Sequence, residues 1–264
     1  ASAFWIWTPE TRQWINPKYA VKETPRKQLD YALESAETGD YKKAEQEMRK
    51  LLKHYPKARE AAEAQFYIAD FQEQQGDYAQ ALKSYELVIQ KYPFTDRANE
   101  VVRRQYEMGS RLLDGRTEKQ PGFLARVSGS RANIEEIFSS VIRNAPYSEY
   151  AAPAQYKIGL FLKEEGLLQE ARDAFEKTVN SYPDSEWAKA ARFQIALADA
   201  DRSAGAGYDQ QITETAIQGF KEFVKDYPDA ELSREAKERV ASLREKEAEN
   251  HFLVAQFYEK QKKI

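Results

Sequence analysis

An all-α solenoid of helical hairpins is the fold this sequence predicts, and three recurrent features predict it. Helix-like stretches close on an aromatic-Pro or Ala-Pro step five times, at Tyr55-Pro56, Tyr92-Pro93, Ala145-Pro146, Tyr182-Pro183 and Tyr227-Pro228. The prolines stand 37, 53, 37 and 45 residues apart, a unit of 37 residues carrying insertions of 16 and 8. Twelve residues before them lie Ala44, Ala81, Ile134, Ala171 and Ala216, and eight before them Met48, Tyr85, Phe138, Phe175 and Phe220. A small or aliphatic residue four positions before a bulky one shares its helix face. Leu51, Val88, Val141, Thr178 and Phe223, five before each proline, extend that stripe. Seventeen before the prolines lie Gly39, Gly76, Gly129 and Gly166, with Gln211 the exception. A glycine of positive φ ends one helix as the next begins, so each unit is two helices.

The elements follow in order. Residues 1–24 belong to no unit and hold Trp5, Trp7 and Trp14 among Pro9 and Pro17, with Pro25 directly after. Prolines at that density keep the segment extended, and its aromatics mark it as something that packs. It is either a strap buried on the first helices or a docking surface for a partner or a membrane interface. Ala1-Ser2-Ala3 has the small-x-small form of a signal-peptidase site, which suits export of a chain without thiols.

Five hairpins are expected over 25–228, with insertions near 114–131 and 203–211. The first insertion should protrude, with Phe123-Leu124 as an apolar point among Arg116, Lys119, Arg126 and Arg131 that could contact a partner. Gly205-Ala206-Gly207 reads as a loop. From 229 to 264 no breaker appears after Glu231, and Ala236, Val240, Leu243, Ala248, Phe252, Ala255 and Tyr258 recur in steps of three to five. One helix of about 30 residues, near 45 Å long, is expected there. Phe257 and Tyr258, adjacent and so about 100° apart around the axis, cannot both lie on one narrow buried stripe. Arg244, His251, Phe257 and Tyr258 are therefore candidates for a partner-binding surface.

Composition removes several function classes. Lys+Arg 40 against Asp+Glu 43 gives net −3 and no global basic field for nucleic acid. No run approaches the roughly 18 apolar residues of a spanning helix. Without cysteine there is no disulfide, thiolate nucleophile or Cys-based zinc site. His54 and His251 lie in different units and read as solvent-facing. No phosphate loop, HExxH or Gly-x-Ser-x-Gly elbow occurs, and pairs such as Glu135-Glu136 and Glu164-Glu165 read as solvated faces. No enzyme and no cofactor is expected.

Small residues at Ala32, Ala69, Gly159 and Ala196 in first helices complete a pattern that resembles the tetratricopeptide repeat. The resemblance implies a right-handed superhelix with a concave face lined by first helices. Its groove positions fall on Phe66, Tyr67, Asp70 and Gln74, with Arg103 and Arg104 nearby. Aromatic and amide groups there could grip an extended peptide while arginine meets a terminal carboxylate.

A narrower resemblance rests on Tyr208 to Phe220, Phe223, Tyr227-Pro228-Asp229, Leu243-Arg244-Glu245-Lys246-Glu247-Ala248 and Val254-Ala255-Gln256-Phe257-Tyr258. These are similar to BamD (YfiO-like), the tetratricopeptide component of outer-membrane β-barrel assembly. Glu247 and His251 depart from the family's usual Leu and acid, no lipobox cysteine precedes the repeats, and the covering helix after Tyr258 is missing. The chain thus resembles a divergent or truncated member. The resemblance implies a periplasmic, non-catalytic scaffold at the outer membrane. It implies two partners, the periplasmic domains of the barrel-inserting channel and unfolded barrel proteins. Another periplasmic adaptor, in envelope division or secretion, is the alternative.

Overall fold

A computed structural model of the chain describes residues 5–8, 13–15, 20–117, 131–203 and 209–261. They form two compact units, Ala1–Met108 and Gly109–Ile264. The first holds strands β1 (Ile6–Thr8) and β2 (Gln13–Ile15) and helices α1 (Pro25–Glu37), α2 (Tyr41–His54), α3 (Arg59–Gln74) and α4 (Tyr78–Lys91). Helix α5 (Ala98–Thr117) runs from the first unit into the second. The second continues with α6 (Arg131–Asn144), α7 (Ala151–Glu164), α8 (Leu168–Ser181), α9 (Glu186–Ser203), α10 (Gln210–Asp226) and α11 (Glu231–Gln261). Gly129, Gly205-Ala206-Gly207, Ala1-Ser2-Ala3 and Phe123-Leu124 lie outside the described residues.

The punctuation is local chemistry. Gly39, Gly76 and Gly166 have φ of 79°, 78° and 76° between paired helices, where a side chain would be strained. Thr24, Asp40, Asp77 and Asp209 cap the following helices, each accepting from a first-turn amide such as Lys43 N at 3.1 Å or Ile212 N at 3.1 Å. Pro25 sits in the first turn of α1, where its missing amide hydrogen costs nothing. At the other end, Tyr55, Tyr92, Tyr182 and Tyr227 leave helical geometry with φ between −127° and −135°. The ring of the next proline disfavours the helical region for the residue before it.

The stripes read from the sequence form the core. Ala44, Met48 and Leu51 of α2 are buried with Leu29, Ala32, Ile68 and Phe71. Ala216, Phe220 and Phe223 of α10 are buried with Phe193, Ala196, Ala236 and Leu243. Close helix approach is literal at Gly159, where a Cβ would stand 2.5 Å from Phe175 Cε1. The third hairpin uses Gly109 in the same way, a Cβ there meeting Phe138 Cε1 at 2.9 Å. That residue escapes the sequence pattern because it stands 16 residues after Pro93, whereas Ala69 and Gly159 stand 13 after their prolines. Part of the 16-residue insertion therefore precedes Gly109.

A polar device also recurs. The side-chain amides of Gln28, Gln65 and Gln155 donate to the backbone carbonyls of Glu47, Ser84 and Ala174 at 3.0, 3.1 and 3.2 Å. Each stands four residues before the small residue of its hairpin. Each ties first helix to second, and the burial of Gln28 and Gln65 makes the bond obligatory.

One expectation about the N-terminal end is corrected. Residues 6–8 and 13–15 pair as an antiparallel hairpin, and Trp5, Trp7 and Trp14 are exposed. The reading as a strap buried on the first helices therefore does not hold. The expected long helix is present, at 31 residues, and its apolar stripe is buried only in its first half. Ala236 and Leu243 are covered, whereas Phe252, Ala255 and Tyr258 are exposed.

Candidate interaction surfaces

Helix α3 buries most of what the groove reading needs at the surface. Phe66 is 3% exposed and packs on Tyr85 of α4, ring centroids 5.7 Å apart. The Arg97 guanidinium covers it, 4.8 Å from the Phe66 ring and 5.6 Å from that of half-buried Tyr67. Asp70 and Glu73, also buried, require a counter-cation, and Arg104 supplies it. Its Nε lies 3.7 Å from Glu73, which also accepts from the Tyr85 hydroxyl at 2.8 Å. Gln74 donates to Asp70 at 2.7 Å. Arg103 pairs with Glu107 at 2.7 Å and lies 3.8 Å from Glu100. Both arginines thus engage carboxylates of the protein itself, the opposite of waiting for a peptide terminus. Of the six residues, Tyr67, Gln74, Arg103 and Arg104 retain surface for a partner.

The second unit has its own ion-paired patch. Arg172 of α8 reaches Asp199 of α9 at 3.0 Å and Glu176 at 2.8 Å, and Arg202 also meets Asp199 at 3.0 Å. Arg172 and Asp199 line a cleft of about 510 Å³ with Glu214 and Glu222. Nearby, Lys163 donates to Gln194 at 3.0 Å, and burial holds its ammonium below the usual lysine range. Among the described residues no group of three or more His, Asp or Glu is placed to hold a metal ion. His54 and His251 are exposed.

A run of apolar side chains is left open on the outer half of α11. Phe252, Leu253, Val254, Phe257 and Tyr258 are between 46% and 65% exposed. Phe257 and Tyr258 touch each other edge to face, centroids 5.6 Å apart, and neither belongs to the core of the second unit. Residues 251–261 are exposed throughout. Arg244, at the junction, makes a surface pair with Glu247 at 3.5 Å. Among the described residues no helix is long and apolar enough to cross a membrane. An exposed helix of this length with clustered Phe and Tyr has the composition of an interface anchor.

The helix falls within a matched region. Residues 196–264 match a family model described as outer membrane lipoprotein (YfiO), and residues 30–95 and 153–185 match tetratricopeptide-repeat models. No curated protein matches the chain. Similar solved structures include a thermophilic tetratricopeptide-repeat protein of Thermus thermophilus, 17% identical, covering 83% of this chain and 98% of that one at TM-score 0.38. MamA from residue 41 onward, of Desulfovibrio magneticus, is 14% identical over 80% of this chain and 99% of that one, at 0.37. A repeat protein of Parabacteroides merdae is 14% identical over 90% and 80%, at 0.40. These likenesses carry nothing about function.

Proposed function

We propose that this tetratricopeptide-repeat chain, YfiO-type over residues 196–264, is a non-catalytic scaffold of the BamD kind. It acts at the periplasmic side of the outer membrane, in assembly of β-barrel proteins. The observation that carries this is the exposed Phe252–Tyr258 surface of α11, inside the segment that matches the outer-membrane lipoprotein model. Leaving five large apolar side chains in water costs free energy that a partner recovers.

Arg244, His251, Phe257 and Tyr258 then form the face that meets a periplasmic domain of the barrel-inserting channel. Tyr67, Gln74, Arg103 and Arg104, with Phe66 and Asp70 as their buried support, form the second face, toward extended segments of unfolded barrel proteins. Phe123-Leu124 is a third contact point. Pull-down from envelope extract tests the assignment: recovery of the barrel-assembly channel is expected. Recovery of division or secretion proteins without that channel would replace it with an adaptor of another envelope process.

A further inference from the structure

We infer that the N-terminal hairpin is a membrane-interface anchor, seating a face of tryptophans among lipid headgroups. In β1 and β2, Ile6 stands opposite Ile15, Trp7 opposite Trp14 and Thr8 opposite Gln13. Opposed residues of an antiparallel pair project from one face, and alternate residues of an extended chain share a face. Trp7 and Trp14 accordingly meet edge to face, centroids 5.7 Å apart with planes at 61°. Trp5, two residues before Trp7, falls on the same side by that alternation. Three of the chain's four tryptophans thus lie in or directly beside the hairpin, at 54%, 45% and 63% exposure.

The root of the segment is held while the face is not. The Tyr55 hydroxyl donates to the Lys22 carbonyl at 2.7 Å, and the Lys22 amide donates to Gln28 Oε1 at 2.8 Å. The Lys22 ammonium sits 4.0 Å over the Tyr31 ring. None of the three indoles belongs to the core cluster of the first unit. A lone two-stranded hairpin cannot bury them itself.

Lipid is the occupant favoured by chemistry. The indole, an apolar ring with one donor, is the side chain most suited to headgroup depth. Residues 1–22 carry Arg12, Lys18 and Lys22 against Glu10, net +2 in a chain of net −3, the sign that suits anionic headgroups. With no described helix able to span a bilayer, contact through this segment is interfacial. The inference does not rest on the scaffold assignment.

The full chain carrying Trp187→Phe keeps Trp5, Trp7 and Trp14 as its sole indoles. Mixed with vesicles of phosphatidylethanolamine and phosphatidylglycerol in roughly three-to-one ratio, its emission should shift to the blue and be quenched by shallowly brominated lipid. Replacing all three tryptophans by serine in the otherwise native chain should lower vesicle cosedimentation at least about tenfold with helicity unchanged. Absence of quenching overturns the inference, as does equal cosedimentation of the serine variant. Retention on peptidoglycan sacculi, or capture by a protein strand, without vesicle quenching also overturns it and assigns the face to that ligand. If the serine variant unfolds, the quenching result alone decides. Vesicle binding without recovery of the barrel-assembly channel would keep this inference and remove the scaffold assignment.

Discussion

From Glu231 to Leu243, α11 buries Ser233, Ala236 and Leu243 against α9 and α10; from His251 to Gln261 every side chain of the same helix is exposed. Both halves carry apolar residues at helical spacing and neither contains Gly or Pro. The outer half is helical without packing on its own unit, extending a helix already nucleated and seated by the inner half. What differs is the neighbour. Periodic apolar residues announce a buried face without saying which chain buries it.

The sharpest break between the halves should come from their supports. Phe220, fully buried beneath the inner half and 5.5 Å from the Phe193 ring, should cost about 3–5 kcal/mol as Phe220→Ala in chemical denaturation. A loss below about 1 kcal/mol would show the seat of α11 to be loosely packed. On the helix itself, Leu243→Ala should cost about 2–3 kcal/mol and Phe252→Ala less than about 0.5 kcal/mol. Equal losses would mean that the outer half packs on its own unit after all.

Smaller effects follow from titration. Burial raises the hydroxyl pKa of Tyr92, Tyr156 and Tyr182. Their folded pKa lies above the unfolded one, so the stability they contribute is complete below about pH 10 and lost as pH rises through the folded values. Tyr156→Phe should flatten that alkaline loss in a pH series of thermal midpoints. Lys163 has the opposite sign, its folded pKa being lowered mainly by burial. The fold is penalised below that folded pKa, and the penalty lifts as pH rises toward the unfolded lysine value. Lys163→Met should give a small gain at neutral pH that vanishes at alkaline pH, and a loss at neutral pH would contradict it.

The repeat was legible because its signals are local. A Tyr-Pro step, a positive-φ glycine and a small residue opposite Phe175 each leave a mark at fixed spacing. Gly109 was missed because an insertion shifts its phase, and the clamps of Gln28, Gln65 and Gln155 because a buried glutamine looks like an ordinary polar helix residue. The Trp7–Trp14 pairing had no signature: two three-residue strands joined through Pro9 carry no two-residue hairpin turn. At the candidate site, the mutual angle of Phe257 and Tyr258 signalled exposure in advance. Phe66 and Asp70 failed as groove residues because a repeat template gives position on a helix. It does not give the Arg97 and Arg104 side chains that cover them.

The double variant Phe257→Ala with Tyr258→Ala, titrated calorimetrically against a periplasmic domain of the barrel-inserting channel, tests the proposed docking surface most directly. Far-ultraviolet circular dichroism and the thermal midpoint should match the native chain, because neither ring belongs to the core. Affinity should fall by at least about 2 kcal/mol, roughly thirtyfold. Unchanged affinity, or a loss of helicity and thermal stability in the variant, would contradict a partner-binding role for the outer half of α11.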